Sequence, residues 1–263
     1  MEAIMKRKKQ YEKEFAYWFE KLNDICGDKQ KESIEKDILC DIYVSCEKAW
    51  EYNLQRLNNR KIKYLLIGEA APWVKSEGVS YFYQTFDNSG EDIQPITWIR
   101  GLWNVFCSSQ PPKNSERKID IQESLNILAN HNFLLVDSLP FALKSDEYKA
   151  LKRKTKNGKS KYEELVCACS DFLERKLKNT KIQWSKIPKI AFAFKRNGEA
   201  VIKAHRAGIR LPSGQLLKFN YNQIAATGNG FPSKKSLCKG WSCGNSRNRN
   251  NCSGSMDRRQ KSL

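Results

Sequence analysis

Residues 63–83 read KYLLIGEAAPWVKSEGVSYFY, and the fold turns on how that stretch is parsed. Tyr64 to Ile67 is an apolar run that stops at Gly68 and meets Glu69, Ala70, Ala71 and Pro72. A short apolar run closed by glycine and proline reads as a buried strand feeding an irregular loop. Such a strand delivers the Glu69 carboxylate to its C-terminal end, where open α/β sheets carry their chemistry. Tyr81, Phe82 and Tyr83 follow within one loop's reach, so aromatic faces and a carboxylate share a neighbourhood suited to a flat ligand.

Downstream, Phe133 to Val136 is a second apolar run, and it also ends in an acid, Asp137, before Ser138, Leu139 and Pro140. Ile190 to Phe194 reads as a third strand and Tyr221 to Thr227 as a weaker fourth. Helical patterns lie between them: Ile96 to Phe106, closed by Gln110-Pro111-Pro112; a short helix through Ile121, Leu125 and Leu128; Leu165 to Leu177; and Gly198 to Ala207. This alternation predicts an α/β fold, a three-layer α/β/α arrangement around a central, mainly parallel four-stranded sheet. Two strands ending in acids beside loops predict a cleft. For either acid alone, capping the following turn is the commoner role.

Upstream, Tyr11, Phe15, Trp18, Leu22 and Ile25 recur at helical spacing before Gly27, and Leu39, Tyr43, Cys46, Trp50, Leu54 and Leu57 form a second stripe. Residues 1–60 are therefore expected as a helical extension packed on a core domain over 61–236, with these aromatics and Cys26, Cys40 and Cys46 as core rather than ligand contacts. Residues 237–263 alternate Gly, Ser, Asn, Arg and Cys with few apolar side chains, which predicts a basic, disordered tail. Cys238, Cys243 and Cys252 lack the paired short spacing of a zinc knuckle and have no histidine near them, so no metal is expected. His205 falls on the helix after the third strand and reads as a surface or half-buried residue.

The 47 Lys and Arg outnumber the 29 Asp and Glu, a net charge of +18 that favours polyanions, nucleic acid first. The basic residues cluster at Lys144 to Lys161, an expected loop or frayed helix able to track a phosphate backbone, and again from Lys234 onward. Surface lysines that only solubilise the fold are the plainer alternative. No run approaches the roughly 20 apolar residues of a membrane helix, and Met1 to Lys13 is a charged helical pattern without the apolar stretch of a secretory signal. Nine cysteines, an odd number in such a chain, are expected as reduced thiols in an intracellular monomer.

Three of these segments together resemble one family. Gly68-Glu69-Ala70-Ala71-Pro72, with Tyr81-Phe82-Tyr83 downstream, is similar to the first motif of the uracil-DNA glycosylase superfamily, especially its Gly-Glu-Ala-Pro branches. Phe133 to Pro140 resembles that family's second strand, whose end reads the base, and Phe231-Pro232-Ser233 resembles its His-Pro-Ser loop. The likeness spans roughly Lys61 to Ser236. It implies a DNA glycosylase that cuts a base from deoxyribose without a cofactor, with Glu69 as the catalytic acid. Phe82, Tyr83, Asp137 and Phe231 are then the base-binding residues, and Pro232, Ser233, Lys234 and Lys235 the phosphate contacts.

N-glycosidic hydrolysis builds positive charge on the sugar and negative charge on the departing base, so a carboxylate near the sugar and donors near the base oxygen both lower the barrier. A ring at Phe82 or Tyr83 suits stacking on a base rotated out of the helix. The chain departs from the family in four places. Phe231 stands where the family has His and cannot donate to a base oxyanion, and Asp137 stands where Asn is frequent. An ionised Asp only accepts hydrogen bonds, so it disfavours a base carbonyl. In the Gly-Gln-Asp-Pro branch the water-activating acid aligns with Ala70, and the cysteines that hold the Gly-Glu-Ala-Pro branch's iron–sulfur cluster have no match here. Two other classes of function therefore remain open: a catalytically weakened recognition module for nucleic acid or damaged bases, and an unrelated α/β enzyme acting on free nucleotides or nucleosides.

Overall fold

The computed structural model describes residues 2–26, 33–71, 73–74, 78–79, 81–83, 96–117, 119–142, 151, 160–225 and 232–242. The first two elements are long helices, α1 (Glu2–Cys26) and α2 (Ser33–Leu57), each with its expected stripe turned inward. Tyr11, Phe15, Trp18 and Leu22 of α1 are buried, as are Leu39, Tyr43, Trp50, Leu54 and Leu57 of α2. The Phe15 ring meets Tyr43 at 5.9 Å and Phe141, beyond the second long strand, at 6.4 Å. The N-terminal helices therefore share one continuous core with the sheet.

Strand β1 (Lys61–Gly68) is followed by a small antiparallel pair, β2 (Trp73–Val74) and β3 (Gly78–Val79), and by the helices α3 (Ile96–Phe106) and α4 (Ile121–Asn130). Asp120 caps α4, its Oδ1 accepting the Glu123 N–H at 2.9 Å. Next come β4 (Phe133–Asp137), the helices α5 (Lys161–Ala168) and α6 (Ser170–Leu177), and β5 (Gln183–Phe192). The single helix expected from Leu165 to Leu177 is two, broken at the fully buried Cys169, whose φ and ψ of −97° and 13° leave the helical region. Helix α7 (Lys195–Ala204), the hairpin of β6 (Ile209–Arg210) and β7 (Leu216–Leu217), and α8 (Lys234–Ser242) complete the described chain.

The fold is mixed α/β, with a parallel sheet in the order β4-β1-β5. Its register sets Gly68 beside Asp137 and Ile67 beside Phe192. The expected fourth strand is not formed as one. Tyr221–Gln223 is a 3₁₀ turn held by a capping box between Asn220 and Gln223, and those local side-chain bonds take the backbone out of the extended state. Ile224 alone reaches the sheet, as a parallel bridge to Phe192, with the Ala225 N–H donating to the Phe192 carbonyl at 3.0 Å. The sheet is thus three-stranded among the described residues.

Successive strand residues face opposite sides. On one side Phe106 of α3 and Trp241 of α8 pack against Tyr64, at 5.2 Å each, and against Phe133. On the other, α7 lies so close to β5 that a Cβ at Gly198 would sit 2.8 Å from Ile224 and 3.0 Å from Phe192. The glycine in that first helical turn is what permits the approach. Helix α8 also corrects the expected tail. Leu237 and Trp241 are buried one helical turn apart, and the Trp241 indole donates to the Leu65 carbonyl at 3.0 Å. Residues 237–242 are thus helical, and residues 243–263 lie outside the described residues.

Candidate functional site

The end of β1 does not stop at its last ladder bond. The Ser138 N–H donates to the Gly68 carbonyl at 3.1 Å and the Leu139 N–H to the Glu69 carbonyl at 2.9 Å, so the loops after β1 and β4 continue side by side. The Ser138 hydroxyl also lies 3.2 Å from the Glu69 carbonyl. Backbone on both sides of Glu69 is thereby fixed, and the residue is 7% exposed.

The Glu69 carboxylate is held by Arg196, in the first turn of α7. Its Nε and Nη2 donate to Oε1 at 3.0 and 2.7 Å, and Nη2 reaches Oε2 at 2.9 Å. The guanidinium also lies over the Tyr162 ring of α5, 4.5 Å from its centroid. Beside it Asn197 is fully buried. Its Nδ2 donates to the Gly68 carbonyl at 2.6 Å, while its Oδ1 accepts from the Ser138 hydroxyl at 2.6 Å and from the Tyr162 hydroxyl at 3.2 Å. One amide thus ties together the ends of β1 and β4, the start of α7 and the face of α5. Every bond is made by a polar group that burial would otherwise penalise.

Asp137 ends β4 directly across from Gly68, with its carboxyl packed over that glycine's Cα. Burial pushes its pKa up from the ordinary carboxylate value to about 7, opposed by Lys176 and reinforced by the negative charge of Glu69. It lines a cavity of about 30 Å³ together with Tyr81, Cys46, Glu47, Trp50 and Lys176. Lys176 and Glu47, from α6 and α2, form an ion pair of 2.6 Å in which each side chain is 6% exposed. The Lys176 ammonium also lies over the Trp50 and Phe172 rings, at 4.8 and 5.3 Å.

The aromatic residues expected to offer a stacking face are core. Phe82 and Tyr83 are buried; Phe82 packs on Tyr83 and Phe133, and Tyr83 on Trp50. The Tyr83 hydroxyl accepts the Leu135 N–H at 2.7 Å and donates to the Leu135 carbonyl at 3.0 Å. It thereby satisfies the edge of β4 that β1 does not pair. Tyr81 of the same trio is the one that lines the Asp137 cavity.

Ser233 precedes α8 and caps it, its Oγ accepting the Ser236 N–H at 3.2 Å and bonding the Ser236 hydroxyl at 2.9 Å. Pro232 is buried, while Ser233, Lys234 and Lys235 are exposed. Phe231 lies outside the described residues, as does most of the basic segment from Lys144 to Lys161. His205 ends α7 in a buried position that lowers its pKa, deeper than the surface or half-buried placement expected.

No protein-family model, curated protein or solved structure matches the chain. Among the described residues no group of three or more His, Cys, Asp or Glu is placed to hold a metal ion, and no helix is long and apolar enough to cross a membrane. The structure brings Glu69 and Asp137 together. It separates both from any free face of Phe82 or Tyr83, and it adds Arg196, Asn197, Ser138, Tyr162 and Lys176, to which the sequence assigned no role. For two of these a local signal existed: Arg196 and Asn197 follow an apolar strand and open a helix, the same strand-end position that drew attention to Glu69 and Asp137.

Proposed function

We propose that the chain is a DNA glycosylase of the uracil-DNA glycosylase type, hydrolysing the bond between deoxyribose and a deaminated or damaged base. The observation that carries the reading is the pair of carboxyl groups of unlike character on adjacent parallel strand ends. Glu69 is paired with Arg196, and Asp137 is raised to about 7. Two carboxyls whose environments separate them in this way divide acid and base roles.

In this reading Asp137, carrying its proton, donates to a carbonyl oxygen of the base while the electrons of the C1′–N bond leave with the base. This answers the lack of a donor at Phe231, since a protonated carboxyl both donates and accepts where an ionised one only accepts. Such an acid pairs with an N–H and carbonyl edge, the feature shared by uracil, hypoxanthine and xanthine. Glu69, fixed at both backbone neighbours and at its carboxylate, stabilises the cationic sugar and orients water for addition at C1′. The water supplies hydroxide to C1′, and its proton restores Asp137. Exposed Lys234 and Lys235, at the head of α8, bind backbone phosphate, in keeping with the +18 charge. Helices on both faces of a parallel sheet, with Ile224 at the place of a fourth strand, support the three-layer arrangement such an enzyme uses.

The Arg196 fork favours a second reading, a recognition module that binds nucleic acid without cutting it, because a carboxylate already neutralised by two nitrogen donors is a weaker electrostatic partner for a cationic sugar. Release of free base from oligonucleotides carrying uracil, hypoxanthine or xanthine separates the two. The glycosylase liberates base from at least one of them, whereas the module shows only salt-sensitive binding.

A further inference from the structure

The Lys176–Glu47 pair has no part in the network that fixes Glu69, yet both residues line the cavity that Asp137 enters from the end of β4. A buried ion pair stabilises a fold little more than apolar groups of the same volume would, so stability alone does not account for this one. The groups facing Asp137 come from four elements: Glu69 after β1, Cys46 and Glu47 on α2, Tyr81 and Tyr83 before α3, and Lys176 on α6. Of these Lys176 alone is a cation, and its ammonium is pinned on one side by the Glu47 carboxylate and on others by the Trp50 and Phe172 rings.

We infer that Lys176, clamped by Glu47, is the positioning residue of Asp137, orienting the acid across their shared cavity and setting which of its two charge states the folded protein holds. Burial and the Glu69 charge drive Asp137 towards its neutral form, and the Lys176 ammonium opposes both. A cavity of about 30 Å³ with charged walls has room for a water that hydrogen-bonds acid and ammonium together. Without the ammonium Asp137 stays protonated to higher pH, and with it the acid can give up and regain a proton near neutrality. The role in catalysis rests on the glycosylase reading, but the control of Asp137 itself does not.

The test is carbon-13 NMR titration of the aspartate side-chain carboxyls, with Asp137→Asn assigning the signal. Glu47→Gln combined with Lys176→Met replaces the pair by neutral groups of similar shape. The Asp137 midpoint is expected to rise by about one pH unit or more in this double variant, and to stay at or below the wild-type value in Lys176→Arg, which keeps a cation. A midpoint unchanged in the folded double variant overturns the inference. Should that variant not fold, Lys176→Gln, which retains a hydrogen bond to Glu47, poses the same question with the same two outcomes. Where excision is measured, the alkaline limb of its pH profile moves with the midpoint. A midpoint that moves in a protein that releases no base keeps the inference and removes the glycosylase reading.

Discussion

The carboxyl of Asp137 lies over the Cα of Gly68, so close that a Cβ on residue 68 would overlap its Oδ1. The parallel register of β1 and β4 puts these two residues side by side, and only a hydrogen in place of a side chain lets the acid fold back over its neighbour. Gly68→Ala should therefore push Asp137 out of its place and cost about 1–3 kcal/mol, the usual range for overpacking a filled site. Urea denaturation gives the stability, and loss of the raised Asp137 titration in the same variant locates the damage at the strand end.

Asn197 joins four elements through one buried amide, so Asn197→Ala should be costly out of proportion to its size. Removing it breaks three buried hydrogen bonds, to the Gly68 carbonyl and to the Ser138 and Tyr162 hydroxyls, at about 0.5–1.5 kcal/mol each. A loss of less than about 1 kcal/mol in chemical denaturation would show that water replaces the amide.

Tyr83→Phe separates a structural tyrosine from a base-stacking one. The ring remains, while both bonds to Leu135 are lost, so stability should fall by about 1–3 kcal/mol with nucleic-acid affinity unchanged. Weakened oligonucleotide binding at full stability would return Tyr83 to the site.

Asp137 also predicts a pH dependence of folding. Its folded pKa, about 7, lies above the value of about 3.9 for an unfolded chain, so the native state binds the proton more tightly. Below pH about 4 both states are protonated. As pH rises from there towards 7 the unfolded chain ionises first, and this residue's contribution to stability falls. Unfolding free energies at pH 5 and pH 7.5 should therefore differ in the wild type by more than in Asp137→Asn, which lacks the titration.

Much of this was legible in the chain. The strands Phe133–Asp137 and Lys61–Gly68 and the stripes of α1 and α2 follow from local apolar spacing, and so does the arrival of two acids at strand ends. What local pattern cannot supply is which strands are neighbours, and the contact of Asp137 with Gly68 depends on that. Tyr83 looked like a ligand platform because its burial is decided by Trp50 and Leu135, both far away in sequence. The lost fourth strand was in principle readable, since Asn220 and Gln223 stand at capping-box spacing. In α8 the spacing of Leu237 and Trp241 was outweighed by the polar composition that follows it.

The most direct measurement is single-turnover formation of abasic sites on oligonucleotides carrying uracil, hypoxanthine or xanthine, by the wild type, Glu69→Gln and Asp137→Asn in parallel. Abasic sites made by the wild type and reduced on the order of a hundred-fold or more in each variant, with oligonucleotide affinity retained, are the predicted result. Abasic sites formed equally by all three proteins, or by none while binding persists, would contradict the assignment of these two carboxyls as a base-excising pair.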